Sequence, residues 1–287
     1  PGGDARDRFQ AAPRVTCGPM TSPPRRDATP RIGCAGWAIG RHDAALFDDG
    51  DSVLARYATR FDCVEINSSF YRPHRPATYA RWAASVPAAF RFSVKLPRTI
   101  THDARLQRCG PALDGFLAAA GQLGDRLGAL LVQLPPSLAF DARVAATFMA
   151  MLRRRWPGDI ACEPRHASWL SEAADALLQR HRVARVAADP PRHRDDARPG
   201  GSDALAYWRL HGTPRLYRSA YPPEALARIA DEVDASACAR RWVIFDNTAA
   251  GCAVPNAAAL QARVKSSSSH HGALWQDAAS RRRPDEP

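Results

Sequence analysis

Polar residues able to carry chemistry recur along this chain, each just after a short apolar run. They are Glu65 with Asn67, Lys95, Gln133, Glu163 with Arg165, Asp189, Arg209 with His211, and Asp246 with Asn247. Lys95 is the only lysine before Lys265, in a chain whose other basic residues are arginines. A compact ammonium at that station suits a point charge for an anion, or a proton donor. Glu65 and Glu163 are the right types for a general acid/base pair, because opposed environments separate two carboxylate pKa values. They are equally the right types to pair with Lys95 or Arg209, and the sequence ranks neither reading. Glu65, Lys95, Glu163 and His211 form the candidate catalytic set. Asn67, Tyr71, His102, Gln133, Arg165, His166, Asp189, Arg209 and Asn247 form the candidate substrate-binding set.

Other chemistries have weaker support. His102, His166 and His211, with Glu65, Glu163 and Asp189, supply nitrogen and oxygen ligands for Zn²⁺, Mn²⁺ or Mg²⁺. No H-E-x-x-H or H-x-H spacing selects a metal, so a divalent cation is an open expectation. The chain has no G-x-G-x-x-G after a strand, no G-x-x-x-x-G-K-[ST] and no G-x-S-x-G, so no nucleotide cofactor is expected. Ser68 and Ser69 have nucleophile chemistry, but spacing supplies no histidine for them, and a turn or cap hydroxyl is the plainer role. Trp37, Tyr71, Trp169 and Tyr207 lie on or just past apolar runs, as stacking walls or as packing.

The runs that must position these residues are RIGCAGW (31–37), CVEINSSF (63–70), RFSVKLP (91–97), ALLVQLPP (129–136), DIACEP (159–164), ARVAAD (184–189), AYWRLHG (206–212) and WVIFDN (242–247). Most hold four or five apolar residues before a polar stop, as strands buried on both faces do. Between them lie helical patterns. Asp51 is the expected cap of a helix burying Val53, Leu54, Tyr57 and Phe61. Asp141 is the expected cap of one burying Val144, Phe148, Met151 and Leu152. Leu170, Ala174, Leu177 and Leu178 form a third stripe, and Asn256 is the expected cap of a last helix with Leu260 and Val264 inward. Eight strand-then-helix units predict an α/β fold, a (β/α)₈ TIM barrel with parallel strands. The sixth unit is irregular: Pro190 to Ser202 is rich in Pro, Arg, Asp and Gly, so its helix is weak or replaced by a loop. In such a barrel the strand ends meet at one face, where active sites are built.

The chain has 287 residues, 45% of them hydrophobic, which fits one domain of this size. That domain is expected over residues 31–264. Residues 1–30 and 265–287 lack periodicity and read as disordered tails, with Met20 a candidate native start. No apolar run reaches the roughly 18–20 residues of a membrane helix, so no membrane partner is expected. Seven cysteines without a C-x-x-C pair suit a reducing, cytoplasmic location. The net charge is +11, of which +8 remains between the tails, a field suited to anionic partners.

Taken together the motifs are recognisable. GCAGW (33–37), VEINSSFYR (64–72), FSVKLPRTITH (92–102), QLPPS (133–137), EPRHASW (163–169), YWRLHG (207–212) and the DN pair followed by GCAVPNA (251–257) occur in the order of the domain of unknown function 72 family, also called YecE-like. The resemblance covers about 31–264 and implies a TIM-barrel fold without implying a reaction. It places Glu65, Asn67, Tyr71, Lys95, His102, Gln133, Glu163, Arg165, His166, Arg209, His211 and Asn247 on motif positions. Ala38 departs from the pattern, which often has an aromatic after the GW pair. Asp246 departs too, where the first of two asparagines is usual.

The leading functional expectation is a hydrolase acting on an anionic, phosphate-containing substrate, nucleic acid among the candidates. Lys95, Arg165 and Arg209 would hold the phosphate, Glu65 or Glu163 would be the base, and His211 or His102 the proton donor. The alternatives are a non-catalytic nucleic-acid-binding module and a glycan-processing barrel using the two glutamates.

Overall fold

The computed structural model describes residues 29–193 and 197–264; the expected tails lie outside these, apart from Thr29 and Pro30. Strands β1 (Arg31–Ala35), β2 (Cys63–Ile66), β3 (Arg91–Lys95), β4 (Leu127–Gln133), β5 (Asp159–Glu163) and β6 (Val183–Arg185) pair in sequence order, each parallel to the next. Strand β7 (Ala187–Asp189) pairs with β9 (Leu205–Leu210), β9 with β10 (Arg240–Phe245), and β10 with β1, again all parallel. The sixth run is thus one strand in two halves. Its first half bonds to β5 and its second to β9, and that change of partner at Val186 closes the barrel.

The eight expected runs all appear as parallel strands, but the sheet holds one antiparallel addition. Strand β8 (Gly200–Gly201) pairs antiparallel with β6, so the expectation of a wholly parallel sheet is corrected. Glycine is needed there. Gly201 has φ +67°, and a Cβ on it would lie 2.4 Å from the Val183 carbonyl oxygen. Between β7 and β9 no α-helix stands among the described residues, and Ala197 belongs to a 3₁₀ turn; residues 194–196 of this Pro- and Arg-rich unit lie outside those described.

Helices cover the outside: α1 (Val53–Tyr57), α2 (Ser68–Tyr71), α3 (Pro76–Ala84), α4 (Gly110–Ala120), α5 (Ala142–Arg155), α6 (Glu172–Arg180), α7 (Pro223–Ala235) and a last helix, α8, over 253–264. Asp141 caps α5 as expected, its Oδ1 accepting from the amides of Arg143 at 2.9 Å and Val144 at 3.0 Å. Two expected caps are corrected. Ser52, not Asp51, caps α1, and this turns Val53 outward to 53% exposure. Asn256 lies inside α8, where its side chain holds the Tyr221 amide and carbonyl instead.

Inside the barrel, alternate residues of each strand make one gradient. Lower positions are apolar: Cys63, Ala129, Leu131, Ala161, Ala184, Leu205, Trp242 and Ile244 pack together, with Tyr207 stacked on Trp242. Two residues further along, the same faces carry Glu65, Lys95, Gln133, Glu163, Arg209 and Asp246. A period of two makes Cys63 and Glu65, or Tyr207 and Arg209, neighbours on one face. The polar strand stops are therefore the top layer of the barrel interior.

Candidate active site at the barrel mouth

Arg209, at the end of β9, is the centre of the top layer and is 0% exposed. Its Nε and Nη2 donate to Glu65 at 3.0 and 2.7 Å, Nη1 donates to Glu163 at 2.5 Å, and Nη2 also reaches Asp246 at 2.9 Å. Tyr207 completes the Glu65 side, its hydroxyl donating to Oε2 at 2.9 Å and lying 2.8 Å from Ser93 Oγ. Burial works against the charged guanidinium, but the three carboxylates outweigh it and hold the Arg209 pKa far above its ordinary value.

Glu163 is shared more widely. Gln133 Nε2 donates to its Oε2 at 2.9 Å, and Arg165 donates to its Oε1 at 2.7 and 3.1 Å. Burial alone would raise its pKa; Arg209 and Arg165 reverse this and keep the carboxyl ionised, well below the usual range. Asp246 is likewise held low by Arg209 and His211 against its burial. His211 lies between the two, with Nδ1 3.0 Å from Asp246 and Nε2 3.2 Å from Glu163. A ring with a carboxylate at each nitrogen is satisfied only when both nitrogens carry protons. Accordingly, although burial pulls the His211 pKa down, these hydrogen bonds raise it above the ordinary histidine value.

Lys95 has the opposite setting. No carboxylate lies within ion-pair distance of its ammonium among the described residues, and Nζ sits 4.1 Å above the Phe70 ring. Burial, with Arg209 close by, lowers its pKa from 10.5 to about 8, against the weaker pull of the more distant Glu163, Glu65 and Asp246. His102, in the π-turn Thr99–Asp103, packs edge-on against the same Phe70 ring. Its pKa is lowered by burial and by the charge of Lys95, which leaves the ring neutral. Asn67 donates to Asp246 at 3.4 Å, while its buried Oδ1 has no partner.

Residues 31–281 match the family model described as "Protein of unknown function DUF72". The chain belongs to that family. Protein YecE of Escherichia coli (strain K12) is 37% identical over 86 residues, which span 30% of this chain and 32% of that protein, so the match covers about a third of that relative's length. A crystal structure of a DUF72 family protein from Enterococcus faecalis superposes with TM-score 0.70 at 20% identity, covering 83% of this chain and 96% of that one. Another, from Thermotoga maritima, gives TM-score 0.68 at 22% identity over 82% and 98%. At such identity these two likenesses speak for the fold.

In this DUF72 chain the departure at Asp246 is structurally consequential, since its carboxylate touches both Arg209 and His211. Not every candidate reaches the mouth. Asn247 is buried and donates to the Ser219 carbonyl and to Asn256, anchoring the loop after β9. Asp189 accepts from Tyr221 and Thr213 on the same loop. His166 caps the short turn Ala167–Trp169 through Ser168, and Tyr71 is 76% exposed on the outer rim. Of the four aromatics considered as walls, Trp169 and Tyr207 are core residues at 1% and 0% exposure. Among the described residues no three His, Cys, Asp or Glu side chains gather to hold a metal. The acidic groups of the mouth are instead engaged by arginine.

Sequence reasoning missed Tyr217. It lines a cavity of about 230 Å³ with Glu163, Arg165 and His211 and lies edge-on to the His211 ring. Its φ of +66° is unusual for a bulky residue, and such backbone collects at functional sites. Nothing in the local pattern of TPRLYRS marks it, because a left-handed tyrosine is imposed by loop contacts. The Tyr217 amide, for example, donates to the His211 carbonyl at 2.5 Å.

No helix among the described residues is long and apolar enough to cross a membrane, and the six cysteines there are free.

Proposed function

We propose that the barrel mouth binds a small phosphate-bearing anion and hydrolyses its ester. The observation that carries this reading is the Lys95 ammonium, which among the described residues has no carboxylate within ion-pair distance, beside a centre whose arginines are already neutralised. A buried ammonium whose neighbouring carboxylates are all committed to arginine is unfavourable, and an arriving anion would relieve it. Arg165 and Tyr217, on the wall of the adjoining cavity, would complete the anion contacts.

Histidines with opposite shifts supply the acid and the base. Neutral His102 would take a proton from water as the water oxygen attacks phosphorus. As the bond from phosphorus to the leaving oxygen breaks, protonated His211 would give that oxygen a proton from Nε2, whose 3.2 Å contact with Glu163 is the longer of its two. Glu65 and Arg209, sealed from solvent, would position Glu163 and Asp246 rather than touch substrate, and Glu163 would hold His211 and Arg165 rather than act as base. This arrangement disfavours the two-glutamate glycan reading, since the guanidinium of Arg209 bonds both carboxylates. The basic cluster at the end of α5 lends the nucleic-acid module little support. Arg153 is used on backbone carbonyls, including those of His181, Gly158 and Arg182, and Arg155 pairs with Asp114 at 2.6 Å.

The test combines binding with turnover. Inorganic phosphate should raise the melting temperature of the parent but not of Lys95→Met. Hydrolysis of p-nitrophenyl phosphate or its diester should fall about 100-fold or more in His211→Gln, the range for losing a general acid. No phosphate stabilisation and no turnover with either ester would overturn the reading.

A further inference from the structure

A second site lies outside the mouth. A cavity of about 490 Å³ forms a mostly apolar groove between α2, α3 and α4, lined among others by Phe70, Tyr71, His74, Tyr79, Pro97 and Phe116. His74, on its wall, has Nε2 2.8 Å from the Oγ of Ser68, a half-buried residue that directly precedes the lining residue Ser69. This is the histidine that spacing alone could not assign to Ser68, since the turn between α2 and α3 folds it back. The ring is held edge-on by Tyr79, at 5.7 Å between centroids, and by Trp82, at 5.0 Å.

We infer that Ser68 and His74 form a nucleophile–base pair that cleaves carboxylic esters whose apolar acyl group lies in this groove. A serine hydroxyl within hydrogen-bond reach of a histidine fixed by a third element is the arrangement nucleophilic catalysis requires. Here aromatic rings, rather than a carboxylate, fix the base. Burial and the nearby charge of Arg72 lower the His74 pKa and favour the neutral ring, whose tautomer with the proton on Nδ1 is the one that accepts from Ser68. In the first half-reaction the Ser68 Oγ–H proton passes to His74 Nε2 as Oγ bonds to the carbonyl carbon. The bond from that carbon to the alcohol oxygen breaks, and the alcohol leaves with the proton from His74. Water then repeats the sequence, giving its proton to His74 and its oxygen to the acyl carbon, and Ser68 recovers its hydrogen as the acid departs. This site shares no catalytic group with the mouth, so the two proposals stand or fall separately.

The full chain treated with an alkyl fluorophosphonate, which reacts only with activated hydroxyl nucleophiles, should gain one phosphonyl group. Peptide mapping of the wild-type protein should place it on Ser68, and p-nitrophenyl butyrate should protect against it. His74→Gln should slow labelling about 100-fold, and Ser68→Ala should abolish it. Because mapping reads the unaltered protein, the inference stays testable even if a variant fails to fold. Absence of labelling, labelling elsewhere, or labelling of Ser68 at an undiminished rate in a folded His74→Gln would each overturn it.

Discussion

Arg209 and Lys95 stand at the ends of two barrel strands in the same polar layer, both almost wholly buried, yet their surroundings are opposite. Arg209 is 0% exposed and bonds three carboxylates; Lys95 is 6% exposed and, among the described residues, pairs with none. The guanidinium's planar fork can serve several acceptors at once, whereas an ammonium is a single point charge. A cation whose every donor is used holds the architecture together. One whose neighbouring carboxylates are committed elsewhere keeps capacity for what arrives. Burial alone does not separate scaffold from site; the state of the hydrogen bonds does.

The contrast is most easily broken at Arg209. Arg209→Met should destabilise the protein by about 3–5 kcal/mol, the range for leaving buried charges unpaired. Urea unfolding would measure this, and a loss below about 1 kcal/mol would mean that the network is not structural. Lys95→Met should act with the opposite sign. Moving the Lys95 pKa from 10.5 to about 8 corresponds to an energetic penalty of order 3 kcal/mol. Removing the charge should therefore raise the unfolding free energy at pH 7, by an amount up to that size. A destabilised Lys95→Met would show that the ammonium has a structural partner and would dissolve the comparison.

The smallest expected effect is a pH dependence. Between about pH 8 and 10.5 the unfolded chain keeps a proton on Lys95 that the folded protein has released. The unfolded state then binds more protons, so stability rises with pH across that window. The parent should gain on Lys95→Met over this interval and be flat relative to it below pH 7. A parallel pair of curves would contradict the buried, unpaired ammonium.

Much of this was legible in the chain. Short apolar runs at regular intervals foretold eight strands, because a strand buried on both faces needs little else. The irregular sixth unit was visible as a Pro- and Arg-rich stretch. Asp141 could be read as a cap because capping depends on residues within one turn. Asp51 was misread for a similar reason: Ser52, one residue later, offered an equal acceptor, and only the path of the chain chose between them. Ser68 and His74 are six residues apart, but no helix or strand period joins them, so their meeting depended on the intervening turn.

The sequence by itself determined the barrel, its family and the set of polar side chains at the strand ends, since these follow from local periodicity and motif. Only the tertiary structure decided which of those side chains are spent on one another. Arg209 bonds residues 144, 46 and 37 positions away along the chain. Local pattern contains no term for such separations. Closure of the sheet sets them, when it brings β9 across the barrel from β2 and β5 and leaves Lys95 beside them without a carboxylate partner among the described residues.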